Sequence, residues 1–272
     1  MVIQHNIAAI NSYRNLSTNQ SALSKNLEKL SSGYKINRAG DDAAGLAISE
    51  TMRSQINGLN QAVNNANDAI GLIQTAEGAM TETHSMLQRM KTLTTQAANG
   101  TYTEAARKNI QSEIDALNSE ITRIASTTEF NGEKPLNNKN KNLTFFIGAS
   151  ADKTNAMTIG QQAMTAAELK VSTLSVKTTT QAFQAMKAVD EAITTVSTYR
   201  AQLGAAQNRL EHTVNNLKVT SENITSAESR IRDTDMADEI TAYTKNNILL
   251  QAAQSMLSQS NAMPQGVLSM LQ

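Results

Sequence analysis

Apolar residues recur along most of this chain with alternating gaps of four and three positions. The clearest series begins at Met52 and reaches Leu93 without an intervening proline. This spacing places the apolar side chains on one strip of an α-helix and is typical of coiled-coil packing. It predicts a helix over about 52–99, ended by a left-handed cap at Asn99–Gly100.

The same spacing predicts two further long helices. One opens at Thr101–Glu104, where a hydroxyl and a carboxylate three residues later form the signature of a capping box, and it ends near Phe130. The other has its apolar strip from Met186 to Ile231. Polar side chains take some places in that strip, where they weaken packing but fix the register and the partner.

The two ends of the chain repeat the pattern more weakly. Each end predicts an amphipathic helix that cannot hide its apolar strip alone. The simplest arrangement that covers part of both strips is a pairing of the first helix with the last.

Between Leu136 and Val171 the pattern changes. Leu143–Ile147 and Met157–Ile159 alternate apolar and polar residues around a short polar stretch, which predicts a β-hairpin at about 141–160. The segment 172–180 is rich in Ser, Thr and Lys and is interpreted as a connection. The predicted fold class is mainly α, a long antiparallel, coiled-coil-like helical rod with a small hairpin and paired terminal helices.

Composition narrows the functional classes. The 272 residues include 24 basic and 24 acidic side chains, so no net charge attracts nucleic acid or an anionic membrane. Cysteine is absent, which excludes disulfides and thiolate sites. No stretch approaches the roughly 18–20 apolar residues of a membrane span. The first residues lack the basic and apolar regions of a standard secretory signal.

Sequence motifs for catalysis, nucleotide binding and metal binding are missing from the chain. Its three histidines are scattered, and His84 falls on a helical strip, where a packing role is expected. The turn at 40–45 lacks the ligand spacing of a calcium loop. We interpret its acidic pair, Asp41 and Asp42, as a cap for the long helix. We therefore predict neither an enzyme nor a bound cofactor.

Several longer motifs resemble the bacterial flagellins, which are the subunits of the flagellar filament. They include Leu30–Asn37 and Asp41–Ile48 near the first end, and Leu203–Leu210 and Met263–Leu271 near the last. The resemblance extends over almost the whole chain. Many relatives carry large outer domains after the hairpin, whereas this chain has only the short connection there, so it resembles a minimal flagellin.

The resemblance implies a layered subunit. Residues 1–40 and 233–272 would form the inner core of paired helices, and residues 41–232 a helical rod layer without outer variable domains. The residues expected at the inner-core subunit interface are apolar positions of the two terminal helices: Ile3, Ile7, Leu23, Leu27, Leu30, Ile240, Tyr243, Leu250, Leu257, Val267, Leu268 and Leu271.

The resemblance also implies partners and a location. Such subunits leave the cell unfolded through the flagellar type III export channel, without a cleaved signal, and polymerise outside it as a helical homopolymer. A chaperone would hold 233–272, and the filament cap and the hook-associated junction proteins would contact assembled copies. Neither nucleic acid nor membrane is an expected partner.

Relatives are recognised by an innate immune receptor of the Toll-like family through the long-helix face. The residues that match this face, and that could instead serve axial contacts between subunits, are Leu87, Gln88, Arg89, Leu93 and Glu113. We expect Leu93 to be an apolar anchor between Arg89 and Glu113. Relatives often have an Arg-Glu pair where this chain has Lys91 and Thr92.

Three other classes of protein share part of this sequence pattern. A hook–filament junction protein of the same superfamily would share the terminal helices but keep the quoted motifs only loosely. A filament subunit with a catalytic insert would need room and a metal motif, which this chain lacks. A generic coiled-coil adaptor would need neither the hairpin nor the paired ends.

Overall fold

The computed structural model describes residues 6–138, 141–150 and 152–270, with side chains described as far as 263. Most of the described residues lie in five α-helices, which are α1 Ile7–Ser32, α2 Ala43–Ala98, α3 Glu104–Thr127, α4 Thr179–Arg232 and α5 Met236–Met270. Two strands, β1 Asn142–Phe146 and β2 Ala156–Gly160, pair antiparallel, with Asn142 opposite Gly160. The mainly helical fold and the predicted hairpin are confirmed.

The chain divides into two compact units. The first combines Met1–Ser54 with Asn223–Gln272, and the second is Gln55–Glu222. The residues of α2 and of α4 are therefore shared between the two units. The sequence-predicted layers, with boundaries at 40 and 233, concern an assembled state and stay predictions.

An apolar core joins α2, α3 and α4 within the second unit. The antiparallel course of α2 and α4 is marked by Glu77 with Arg200 and by Lys91 with Asp190, whose charged atoms are 3.5 and 2.5 Å apart. The strip predicted along α2 faces this core. The fully buried large side chains of this core include Ile73, Met80, Leu87, Met90, Ile114, Ile121 and Leu210.

The stretch that follows β2 completes this core, which the sequence patterns did not indicate. Val171 and Val176 are fully buried. The side-chain amide of Asn118 donates to the Val171 carbonyl at 2.9 Å, and Gln111 accepts from the Val176 amide at 2.8 Å. Residues 161–178 are thus more than a connection, although they are all that joins β2 to α4.

The start of α2 lies further towards the N-terminus than the strip predicted. The helix begins at Ala43, and the Asp42 carboxylate accepts a hydrogen bond from the Gly45 amide at 2.9 Å. Asp42 therefore caps the helix as expected. Asp41 does not share this role, because its carboxylate accepts from the Asn37 and Arg38 amides at 3.2 and 3.0 Å.

The end of α2 differs from the prediction. Asn99 and Gly100 are not among the described residues with positive φ, which are Gly33, Asn131, Gly132 and Lys170, so the left-handed cap is wrong. Instead, the Arg107 guanidinium donates to the carbonyls of Ala97 and Asn99 at 2.9 and 3.2 Å. A cation from the next helix thus satisfies carbonyls that a left-handed turn would otherwise have to satisfy.

The cap of α3 also lies elsewhere than predicted. Thr103, rather than Thr101, is the N-cap residue, and its hydroxyl accepts from the Ala106 amide at 3.3 Å. Thr103 has the extended backbone that an N-cap requires, and Glu104 already lies within the helix. The helix ends at Thr127, and Asn131 and Gly132 then form a tight left-handed turn.

No helix among the described residues is both long enough and apolar enough to cross a membrane.

Candidate functional site

Helices α1 and α5 lie side by side and antiparallel in the first unit. The Asn6 side-chain amide donates to the Ser260 carbonyl at 2.8 Å near one end of the pair. Near the other end, Lys29 Nζ lies 3.7 Å from Glu239 Oε2. The predicted pairing of the two terminal helices is confirmed.

Polar groups fix the register of this pair. The side chain of Asn26 is buried, and with its amide nitrogen directed at Glu239 it donates to Glu239 Oε1 at 3.3 Å and accepts from the Tyr243 amide at 3.0 Å. A buried polar group that is satisfied in only one alignment disfavours a shifted pairing. The contacts of Asn26 therefore define how α1 lies on α5.

The pair leaves much of its apolar surface exposed. Of the residues predicted at the inner-core interface, Leu23, Leu30, Tyr243, Leu250 and Leu257 are half-buried, whereas Ile7, Leu27 and Ile240 are exposed. Other exposed apolar side chains on the two helices are Ile10, Tyr13, Met236, Ile248, Leu249, Met256 and Met263. Ile3 and Leu271, and the side chains of Val267 and Leu268, lie outside the described residues.

A small network holds the chain where α1 ends and α5 begins. The Lys35 amide donates to the Arg232 carbonyl at 2.8 Å, and the Thr234 amide donates to the Gly33 carbonyl at 3.0 Å. The Arg232 guanidinium lies over the Tyr34 ring, 4.7 Å from its centroid, and 2.7 Å from Glu50 Oε1. The sequence patterns did not predict this network, although a glycine such as Gly33 is a common signal for the end of a helix.

Gly33 permits that geometry. Its φ is +75°, and its amide donates to the Lys29 carbonyl at 2.8 Å, which closes the last turn of α1. A left-handed residue at this position is strongly favoured as glycine.

The second candidate surface is the face shared by α2 and α3. Arg89 Nη2 lies 2.8 Å from Glu113 Oε1, and both side chains are about half exposed. Gln88 is exposed and lies 3.0 Å from the His84 ring through their Nε2 atoms. The predicted residues Gln88, Arg89 and Glu113 therefore form one polar surface.

Leu87 and Leu93 do not belong to that surface. Their side chains are 0% and 2% exposed, because the strip that carries them faces the core between α2, α3 and α4. The hypothesis that Leu93 is an exposed apolar anchor is wrong. Spacing alone could not separate a surface anchor from a core residue on the same helix.

The perturbed titrating groups have structural roles. Burial raises the pKa of the Tyr199 phenol, whose hydroxyl donates to the Gly160 carbonyl at 3.3 Å and so joins α4 to β2. The amides of Arg38 and Asn37 lower the pKa of Asp41. Among the described residues, no group of three or more His, Cys, Asp or Glu side chains could hold a metal ion.

The described residues form long helices, an aliphatic core and a helix pair whose apolar surface is only partly covered. These features define a helical structural protein. Comparison with known proteins identifies the family. Residues 3–141 match the model described as the bacterial flagellin N-terminal helical region, and residues 186–271 match the C-terminal helical region. The chain belongs to the bacterial flagellin family.

Full-length relatives agree with this assignment. The chain is 52% identical to a flagellin of Bacillus subtilis strain 168 over an alignment of 303 positions, and 47% identical to a flagellin of Halalkalibacterium halodurans over 271. It is also 47% identical to the flagellar filament 33 kDa core protein of Treponema phagedenis over 287. Each alignment covers all of both chains. Within the family, the chain is a short form.

Solved structures show the same fold. The crystal structure of Bacillus cereus flagellin aligns with a TM-score of 0.50 and 30% identity, covering 61% of this chain and 94% of that one. A structure assigned to a flagellar hook-associated protein of Vibrio parahaemolyticus aligns with a TM-score of 0.59 but 12% identity, covering 71% of this chain and 100% of that one. The latter likeness concerns the fold alone and does not favour the junction-protein alternative.

Proposed function

We propose that this chain is a structural subunit that self-assembles into the extracellular helical filament of the bacterial flagellum, the propeller for swimming. The observation that carries the proposal is the row of exposed apolar side chains on α1 and α5. Soluble monomers rarely leave such a surface uncovered unless it binds a partner. Membership of the flagellin family supports a second copy of the chain as that partner.

Assembly gains its free energy from covering this surface. Removing apolar surface from water contributes roughly 25 cal/mol per Å². Ile7, Leu27 and Ile240 are all exposed before assembly and apolar enough to contribute. The same contacts recur in every subunit, so a modest gain per subunit is multiplied along a filament.

The polar surface of α2 and α3 would serve axial contacts. Arg89 and Glu113 present opposite charges side by side, and Gln88 lies next to them on α2. Mixed charges on a rim favour correct orientation more than raw affinity. Leu87 and Leu93 would act on this contact only by holding the helix in place.

The exposed apolar surface of α5 supports a role for a chaperone before export. A free subunit whose α5 displays Ile240, Ile248 and Leu249 is prone to premature association. A cytoplasmic chaperone that covers 233–272 would prevent this before unfolded export through the flagellar channel, without a cleaved signal. The filament cap and the hook-associated junction proteins would then meet the same helices at the two ends of a filament.

Binding by a Toll-like receptor would use the polar surface rather than an apolar anchor. Gln88, Arg89 and Glu113 are available in the free subunit, and Thr92, one turn after Gln88 and Arg89, is exposed beside them. An axial contact that covers Arg89 would prevent such binding in a filament. We therefore expect receptor pull-down to capture monomer and not intact filament, and equal capture of both would contradict this placement.

Seeded polymerisation tests the proposed function. We expect Leu27→Asp and Ile240→Asp to abolish elongation from filament seeds, because each carboxylate would be buried without a partner at a cost of several kcal/mol. Both side chains are exposed in the monomer, so its thermal unfolding should be unchanged. Electron microscopy of seeded samples and circular dichroism of monomers measure the two effects.

Val219→Asp is the matched control. Val219 is 57% exposed and lies on α4 in the second unit, whereas Ile240 is 51% exposed and lies on α5. The control should elongate far better than either variant of the helix pair. Normal filaments from Leu27→Asp and Ile240→Asp would show that α1 and α5 do not form the assembly surface.

A further inference from the structure

Methionine side chains of the two units differ widely in their access to solvent. Met256 and Met263 are 64% and 59% exposed, and Met236 is 44% exposed. In the second unit, by contrast, Met80 and Met90 are 0% exposed. Because a reagent must reach the sulfur atom, we expect oxidation of the free subunit to be faster at these exposed methionines than at Met80 and Met90.

The two most exposed thioethers occupy one strip of α5. Leu249, Met256 and Met263 follow one another at seven-residue intervals, so they lie on the same side of the helix. All three are exposed. This strip differs from the side that meets α1, which includes the half-buried Leu250 and Leu257.

We propose that Met256 and Met263 form an oxidation site through which peroxide blocks assembly of the free subunit. This inference rests on the proposed function, because it takes the Leu249–Met256–Met263 strip to be covered by another copy in the filament. In this position Met supplies a flexible apolar contact, and its oxidation makes that contact polar.

The chemistry requires hydrogen peroxide as the co-reactant and no group from the protein besides the thioether. A sulfur lone pair attacks one peroxide oxygen, the S–O bond forms and the O–O bond breaks. Protons redistribute so that the second oxygen leaves as water. Sulfur loses two electrons, peroxide gains them, and the product is methionine sulfoxide.

The sulfoxide opposes assembly but not folding of the monomer. Its oxygen is hydrated in the free subunit, because both side chains lie in solvent. A sulfoxide buried without a hydrogen-bond partner reduces subunit affinity by roughly tenfold. In an assembled filament the same sulfur atoms are covered, so existing filaments resist the reagent that inactivates free subunits.

Peptide mapping by mass spectrometry measures the selectivity. The full-length monomer and the assembled filament are treated with hydrogen peroxide, and the sulfoxide at each methionine is followed over time. We expect Met256 and Met263 to oxidise severalfold faster than Met80 and Met90 in the monomer, and slowly in the filament. Similar rates at all four positions of the monomer, or equal rates at Met256 in monomer and filament, would overturn the proposal.

Seeded elongation measures the consequence. Treated wild-type monomer should elongate roughly tenfold more slowly than untreated monomer. The double variant Met256→Leu/Met263→Leu should elongate before and after treatment alike, whereas Met80→Leu should remain sensitive. Oxidised monomer with unimpaired elongation would overturn the oxidation site.

Two outcomes separate this proposal from the proposed function. If untreated wild-type monomer does not add to seeds, the filament proposal itself fails. If the double variant cannot elongate, oxidised wild-type monomer is treated with methionine sulfoxide reductase and its elongation is measured. This enzyme reverses the modification without any substitution. Restored elongation after reduction supports the site, and unrestored elongation of a folded, reduced monomer overturns it.

Discussion

The main helices of the two units differ in how far their apolar side chains are buried. In the second unit, α2, α3 and α4 enclose a core of fully buried aliphatic side chains such as Ile73, Met80 and Leu87. In the first unit, the only buried side chains among those described in α1 and α5 are polar, namely Asn26 and Ser260.

This difference separates a self-sufficient region from a conditional one. Three helices can enclose an apolar strip, whereas two helices cover only the sides that face each other. The pair therefore depends on polar contacts for its register, and its apolar surface is left for a partner. Its stability should rise with assembly through mass action.

The largest expected effect comes from emptying the core of the second unit. Leu87→Ala should reduce the free energy of unfolding by about 2–5 kcal/mol, because the side chain is fully buried and its removal leaves a cavity. Leu249→Ala, on the exposed strip of α5, should change it by less than about 0.5 kcal/mol in the monomer. Urea unfolding measures both.

The two variants should rank in the opposite order in seeded elongation, once the elongation rates are corrected for the fraction of folded monomer. Leu249→Ala is expected to slow elongation, whereas Leu87→Ala should retain it at temperatures where the monomer stays folded. A Leu249→Ala monomer as destabilised as Leu87→Ala would mean that α5 is covered within the monomer, and the comparison between the units would fail.

Sequence periodicity predicted the helices and their buried strips because heptad spacing reports which side of a helix is apolar. It could not predict what covers that side. Leu93 and Ile240 both lie on predicted apolar strips, yet Leu93 is buried and Ile240 is exposed. That difference depends on how many helices surround each strip, which is a tertiary property.

Long-range contacts explain the remaining misses. In place of the predicted left-handed cap at Asn99, the guanidinium of Arg107 from the next helix donates to the Asn99 carbonyl. Val171 and Val176 are buried because Asn118 and Gln111 hold their backbone against α3. Neither arrangement leaves a local signal, whereas the Asp42 cap does and was predicted.

Two asparagines with equal burial sharpen the comparison. Asn118 and Asn26 are each 8% exposed, but Asn118 serves the fully buried Val171 carbonyl. Asn118→Ala should cost about 1–3 kcal/mol, because that carbonyl loses its side-chain donor inside the core. Asn26→Ala should cost less than about 1 kcal/mol, because Glu239 keeps Lys29 as a charged partner, with Lys29 Nζ 3.7 Å from its Oε2.

Hydrogen exchange resolved by peptide checks this pair of variants. Asn26→Ala should accelerate exchange in α1 and α5 alone, and Asn118→Ala should accelerate it across the second unit. If Asn26→Ala also lowered protection throughout α2–α4, the helix pair would not be the separately weaker region.

Glycines should respond in opposite directions in the two units. A Cβ at Gly78 or Gly204 would meet nothing within 4 Å, so Gly78→Ala and Gly204→Ala should each stabilise the second unit by about 0.5–1 kcal/mol. Gly33→Ala should destabilise the end of α1 by about 1 kcal/mol, because its φ of +75° strains any side chain. Thermal unfolding and exchange in α1 measure the two effects, and a stabilising Gly33→Ala would contradict the left-handed cap.

The smallest expected effect concerns the polar surface of α2 and α3. Arg89 and Glu113 lie 2.8 Å apart but are about half exposed, so a double-mutant cycle with Arg89→Ala and Glu113→Ala should give a coupling of only about 0.2–1 kcal/mol. The same cycle on Lys91 and Asp190, a pair with similar exposure, is the matched control. Both couplings should shrink in high salt, because solvent screens exposed charges. A coupling several times larger at Arg89 alone would make this pair part of the stable core, and its proposed role as a surface for axial contacts would then lose its basis.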